Sequence, residues 1–225
     1  MASGINESVM QRKLVWWWVL VGAIAVFSFA GQASSDNAPD PNAFYRYGTV
    51  AVGVILYLLL LSFALLIATG LDLREAFALR RPASWRRAAL IAFGAFVTMW
   101  IVAAILEQIF HAGEEQGLDP RQLSVDVLPP FLLNVVLAAV LVPIVEELIY
   151  RGLGFTLLAQ FGDLAAIVLT AFTFALAHGI LDGIPVFFVI GAALAFVRSR
   201  TASIYPCMLM HGLFNGIQVI LGAAT

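Results

Sequence analysis

In the apolar second half of this chain, Glu146, Glu147, Arg151, His178 and His211 are the five ionisable side chains that are candidates for chemistry, with the amide of Asn215 as a polar companion. Ionisable groups at membrane depth cost about 2.5–3.5 kcal/mol each on insertion scales, so each is read first as functional. Glu147 and Arg151 stand four apart and face the same way on a helix. An arginine fork can satisfy a carboxylate with two hydrogen bonds, which makes Glu147 the neutralised partner and Glu146 the freer acid. His211 and Asn215 share a face by the same spacing, and both can present N–H donors to one point, as an oxyanion hole does. Glu146 in a low-dielectric site could take a proton from water, with His178 holding that water or passing the proton on.

The elements that must carry these groups are membrane helices. The chain has 62% hydrophobic and 12% charged residues and a mean hydropathy of +0.96, against about 45–50% apolar residues in soluble domains. The reading is an all-α, polytopic transmembrane bundle of about seven helices in one continuous membrane domain. Residues 1–127 form an N-terminal three-helix region, and residues 128–225 form a four-helix catalytic core. Apolar stretches at 14–30, 50–71 and 88–106 are each near the ~20 residues of a crossing. The first is longer than the apolar part of a signal peptide and is taken as an anchor. A fourth helix at 131–161 follows Pro129 and Pro130, and Gly152 and Gly154 are the places where it could break. Helices at 164–179, 186–197 and 204–221 complete the set.

Glu146 and Glu147 stand 16 and 15 residues before the turn at Gly162, and His178 stands 16 after it. In an antiparallel hairpin all three lie about 22–24 Å from that turn and share one depth. His211 is only about 10 Å into its helix, a poorer match. Arg12, Lys13, Arg74, Arg80, Arg81, Arg86, Arg87, Arg198 and Arg200 all fall on one side of a seven-helix arrangement, and only Arg46 and Arg121 on the other. The basic side, with the N-terminus, is therefore read as cytoplasmic. Trp16, Trp17 and Trp18 read as interface anchors there. His111, with Glu107, Glu114 and Glu115, reads as a solvated outer rim, and Asn134 and Gln108 stay unassigned. Cys207 is the only cysteine, which rules out a disulfide framework or a CxxC metal site. No basic patch suggests nucleic acid.

Three motifs now stand in order on successive apolar helices. Glu146 to Arg151 resembles an EExxxR motif, Phe174 to His178 an FxxxH motif, and His211 to Asn215 an HxxxN motif. Together they resemble the CPBP (Abi) family of CAAX prenyl endopeptidases and bacteriocin-processing enzymes, over residues of about 130 to 221. The resemblance implies an intramembrane endopeptidase in which Glu146, aided by His178, activates water while His211 and Asn215 stabilise the oxyanion. Its substrate would be a membrane-associated peptide or protein, prenylated and CAAX-like or bacteriocin-like, and its setting a bacterial inner membrane. No cofactor is favoured. The alternative is a zinc site of Glu146, His178 and His211, which could fill three positions and leave one open. Asn215 is a poor zinc ligand, and no HExxH helix is present.

Plainer roles exist for each group. The Glu147 and Arg151 pair could only fix helix register, His178, His211 and Asn215 could be polar glue between helices, and Phe174 packing. Tyr150 could hydrogen-bond near the site or merely face its polar wall. A proton relay or transporter would need paired broken helices in two related halves, which the sequence does not show. A non-catalytic membrane immunity or binding protein would keep the fold and lose the need for Glu146.

Overall fold

A computed structural model describes residues 7–34, 42–110 and 126–224 of the chain. Among the described residues there are eight helices and no strand. They are α1 (Glu7–Ser34), α2 (Tyr47–Ile67), the short α3 (Leu73–Ala76), α4 (Trp85–Phe110), α5 (Leu128–Phe161), α6 (Asp163–Leu176), α7 (Ile184–Thr201) and α8 (Tyr205–Ala224). Six are long and apolar enough to cross a membrane, and α6 is apolar but shorter. Outward side chains such as Phe27, Leu66 and Phe93 are exposed on α1, α2 and α4. Lipid is the solvent such a surface needs, and the protein is an integral membrane helical bundle.

Each boundary has a local cause. Helix α2 stops at Ile67 rather than 71, and Asp72 then caps α3, its carboxylate accepting from the backbone N–H groups of Arg74 and Glu75. Helix α6 ends at Leu176 rather than 179, because Gly179 takes a left-handed φ of 71° that helical residues avoid. Helix α7 extends through Arg198 and Arg200 to Thr201, past the end expected at 197. At the entrance to α2 the Asn134 amide lies 2.9 Å from Phe44 O and 3.2 Å from Arg46 O, tying that segment to α5.

Helix α5 does not break at Gly152 or Gly154. Instead its 34 residues run on through two widened, π-helical turns, Leu137–Leu141 and Leu148–Gly154. Pro143 explains the first: it has no N–H to give the carbonyl four residues back, and Val142 N–H bonds Leu137 O five back. Gly154 serves close packing, since a Cβ there would collide with the Trp17 indole. Trp17 is accordingly buried inside the bundle and is not an interface anchor, whereas Trp16 and Trp18 are exposed.

Most of the described basic residues share one end of the bundle, Arg46 and Arg151 excepted. Lys13 Nζ donates to Ile67 O and Thr69 O, both at 2.7 Å, and Arg80 Nε donates to Ala202 O at 2.7 Å. Ser199 donates to Asp163 at 2.6 Å at the same end. Arg198, at this end too, is buried, with its guanidinium 5.0 Å from the Phe155 ring. Arg121, His111, Glu114 and Glu115 lie outside the described residues.

Candidate active site

A widened helical turn leaves backbone carbonyls without helical donors, and such groups must find partners where no water is available. Side chains from other helices supply them along α5. Asn215 Nδ2 donates to Ala138 O at 3.1 Å, Trp17 Nε1 to Ile149 O at 2.9 Å, and Arg198 Nε to Arg151 O at 3.0 Å. These bonds bring α8, α1 and α7 against the stretch of α5 that carries its acids.

Glu147 is fully buried, and its Oε1 accepts from Arg151 Nη1 and from His211 Nδ1, both at 2.9 Å. Arg151 Nη2 donates to Gly191 O at 2.8 Å, and the guanidinium lies 4.5 Å from the Phe174 ring centre. The expected pair is thus present, and it also anchors His211. Glu146 is only half-buried. Its Oε1 accepts from the Tyr57 hydroxyl at 2.7 Å, while Oε2 stands 3.7 Å from His211 Nε2, beyond hydrogen-bond range. One oxygen of Glu146 is therefore held and the other is left facing an imidazole.

His178 follows the end of α6, and its Nδ1 lies 2.9 Å from Phe174 O. A carbonyl only accepts, so Nδ1 carries the hydrogen and Nε2 keeps its lone pair in the neutral ring. The ring stacks on Phe187 with centroids 3.8 Å apart. Phe174 makes edge contacts with Tyr150, His178 and His211 at 5.4, 4.9 and 5.7 Å, so it sits between the groups of the cluster. The Tyr150 hydroxyl is buried without a hydrogen-bond partner among the described residues, and its ring packs.

A chamber of about 530 Å³ has Phe174, His178, His211 and Asn215 in its wall, with Trp100, Glu107 and Phe214. Glu146 is not part of that wall and meets it through the His211 ring. Glu107, expected on a solvated rim, is half-buried at this chamber. The depth mismatch of His211 is closed where α8 crosses α5. Gly212 has no side chain there, and a Cβ would strike the Ala139 carbonyl.

The site residues named from sequence therefore fall into two linked groups. Glu146, Glu147, Arg151 and His211 meet directly; His178 and Asn215 join them across the chamber wall and through Phe174. Three participants lie outside that set. Tyr57 comes from α2, Trp100 from α4, and Arg198 from the end of α7, where it was counted only as a charge on the basic side; a phenol inside the aliphatic run of α2 was the one readable sign of the first. Among the described residues, no three His, Cys, Asp or Glu side chains are arranged to hold a metal ion.

Residues 128–217 match the family model described as Rce1-like, type II CAAX prenyl endopeptidase Rce1-like. No curated protein and no solved structure matches the chain. The matched segment contains the Glu146 to Arg151, Phe174 to His178 and His211 to Asn215 motifs, and it supports a protease working at a membrane. Through this segment, the chain is similar to the Rce1-like type II CAAX prenyl endopeptidases, which is the CPBP family.

Proposed function

We propose that this protein is an intramembrane endopeptidase in which Glu146 activates water, assisted by His178, and His211 and Asn215 stabilise the oxyanion. The observation that carries the reading is the division of the two carboxylates. Glu147 is fully buried with its Oε1 held by both Arg151 and His211, whereas Glu146 is partly exposed, with Oε2 3.7 Å from His211 Nε2 and without a hydrogen bond among the described residues. A carboxylate oxygen left open beside an imidazole suits a general base. Tyr57 fixes the other oxygen and so the direction from which Glu146 attacks a water proton.

Glu147 holds His211 by Nδ1, orients the ring and stabilises charge that develops on it, as the buried acid of a serine-protease triad does for its histidine. His211 Nε2 then faces the reacting carbonyl as a donor once the ring is protonated. Asn215 spends one amide hydrogen on Ala138 O and retains the other for the oxyanion. His178 Nε2 accepts, which suits it to hold the water or relay its proton. Water adds to the peptide carbonyl carbon, its proton passes to Glu146, and the same proton leaves with the amine when the C–N bond breaks.

The substrate is a membrane-held peptide segment, lipidated and CAAX-like or bacteriocin-like, and the membrane a bacterial inner membrane with the N-terminus and arginine-rich end in the cytoplasm. The test uses proteoliposomes and fluorescence-quenched, lipid-anchored peptides of both kinds. Wild-type protein cleaves one, and Glu146→Gln lowers turnover by about 10²–10⁴ with unchanged thermal unfolding. Cleavage by Glu146→Gln at the wild-type rate refutes the assignment.

A further inference from the structure

A second hollow, of about 1150 Å³, lies outside the chamber and shares no residue with it. Its base is the seam where α8 crosses α5, with Gly212 against the Ala139 carbonyl. Backbones that approach this closely leave a valley between their outward side chains. Val140 and Ile144 form one wall and Leu209 and Leu213 the other, and all four are exposed on a surface that needs lipid as its solvent. Leu209 and Leu213 stand about 6 and 12 Å along α8 from Tyr205, so the apolar walls run away from the start of that helix.

The other end of the valley is cationic. Arg74, Arg80 and Arg81 line it together with Trp85. The segment that carries them is fastened beside the start of α8, where Ile204 N–H donates to Ala78 O and Arg80 Nε to Ala202 O. Residues 72–87 hold five arginines against two acids, and both acids are engaged: Asp72 caps α3, and Glu75 pairs with Arg80 at 3.0 Å. Arg74 and Arg81 are exposed, and their guanidinium groups have no hydrogen bond or ion pair among the described residues. A guanidinium fork binds phosphate oxygens in pairs, and an exposed indole such as Trp85 suits the polar edge of a bilayer.

We infer that this groove binds an anionic phospholipid, its phosphate on Arg74 and Arg81 and an acyl chain lying in the valley between α5 and α8. The divided lining selects this occupant. A free anion would use only the arginine end, and a zwitterionic lipid would gain less from it. The groove contains none of the residues assigned to catalysis, so the inference stands apart from the peptidase reading.

The experiment uses full-length protein stripped of lipid in a neutral detergent. It is offered phosphatidylglycerol and phosphatidylcholine of the same acyl chains in equal amounts, and bound lipid is counted by native mass spectrometry. Wild-type protein should retain phosphatidylglycerol by about tenfold or more over phosphatidylcholine, and Arg74→Gln with Arg81→Gln should cut that preference to about twofold or less. Arg12→Gln with Arg200→Gln removes the same charge from exposed arginines outside the groove and should leave the preference intact. Leu209→Asn, at an exposed position of the wall, should weaken retention of both lipids by about threefold or more.

Equal retention of the two lipids by wild-type protein overturns the inference, as does a preference that survives loss of Arg74 and Arg81. The same loss in the Arg12 and Arg200 variant would reduce the effect to diffuse surface charge, and unchanged retention by Leu209→Asn would remove the acyl chain from the valley; either result also overturns it. Displacement of bound lipid by an equal concentration of glycerol phosphate would show a free-anion site instead. Displacement by an equal concentration of lipid-anchored peptide would assign the groove to substrate and overturn the lipid assignment.

Discussion

Replacing Arg151 by methionine strands the carboxylate of Glu147 in a site where both side chains are fully buried. The methionine keeps much of the volume but donates nothing, and only His211 Nδ1 still bonds Glu147. Removing one partner of a buried pair costs about 3–5 kcal/mol, because the remaining charge is left uncompensated. At about 2–4 °C per kcal/mol for a chain of this size, apparent Tm should fall by about 6–20 °C. Replacing both members, Glu147→Leu with Arg151→Met, removes the stranded charge and should return most of that loss. Stability and activity should then separate, since the double variant no longer anchors His211 and stays inactive. The assay is thermal unfolding in detergent by tryptophan fluorescence, read as a double-mutant cycle, alongside peptide cleavage. A double variant no more stable than Arg151→Met, or a single variant within about 2 °C of wild type, would contradict the charge argument.

Three other perturbations test separate parts of the structure. Gly154→Ala places a methyl group 2.6 Å from Trp17 Cε2, on a ring held by Ile149 O, and should cost about 1–3 kcal/mol; the same change at Gly22, with nothing within 4 Å of the added carbon, should show no such fall in Tm. Tyr57→Phe removes the donor on Glu146 Oε1, a hydrogen bond to a charged group worth about 1.5–3 kcal/mol. It should lower kcat by about 10–100-fold with KM unchanged, and a rise in KM at constant kcat would assign Tyr57 to substrate binding instead. Dialysis against a strong chelator should leave cleavage intact, whereas loss that zinc restores would replace the water-activation route by a metal-dependent one.

The packing around α5 also sets which of its polar groups can act. Three side-chain donors from α8, α1 and α7 are spent on its backbone, at Ala138, Ile149 and Arg151. The geometry of the candidate site is therefore supported by one motif residue, Asn215, and by Trp17 and Arg198, which lie outside the motifs and act on it through position alone.

Helix type, membrane setting and the three motifs were legible in the linear chain because each depends on local chemistry. Apolar runs of crossing length specify spans, and four-residue spacing puts Glu147 with Arg151 and His211 with Asn215 whatever the helices do next. The equal distances of Glu146, Glu147 and His178 from Gly162 likewise need only the rise of a helix. Tertiary structure alone decided that Tyr57 reaches Glu146, that Trp17 and Arg198 are buried, and that His211 bonds Glu147 despite its shallow place on α8. Those contacts depend on how closely two backbones approach, at Gly154 against Trp17 and at Gly212 against Ala139. Helix spacing and crossing are properties of pairs of surfaces, and no periodicity along a single chain encodes them.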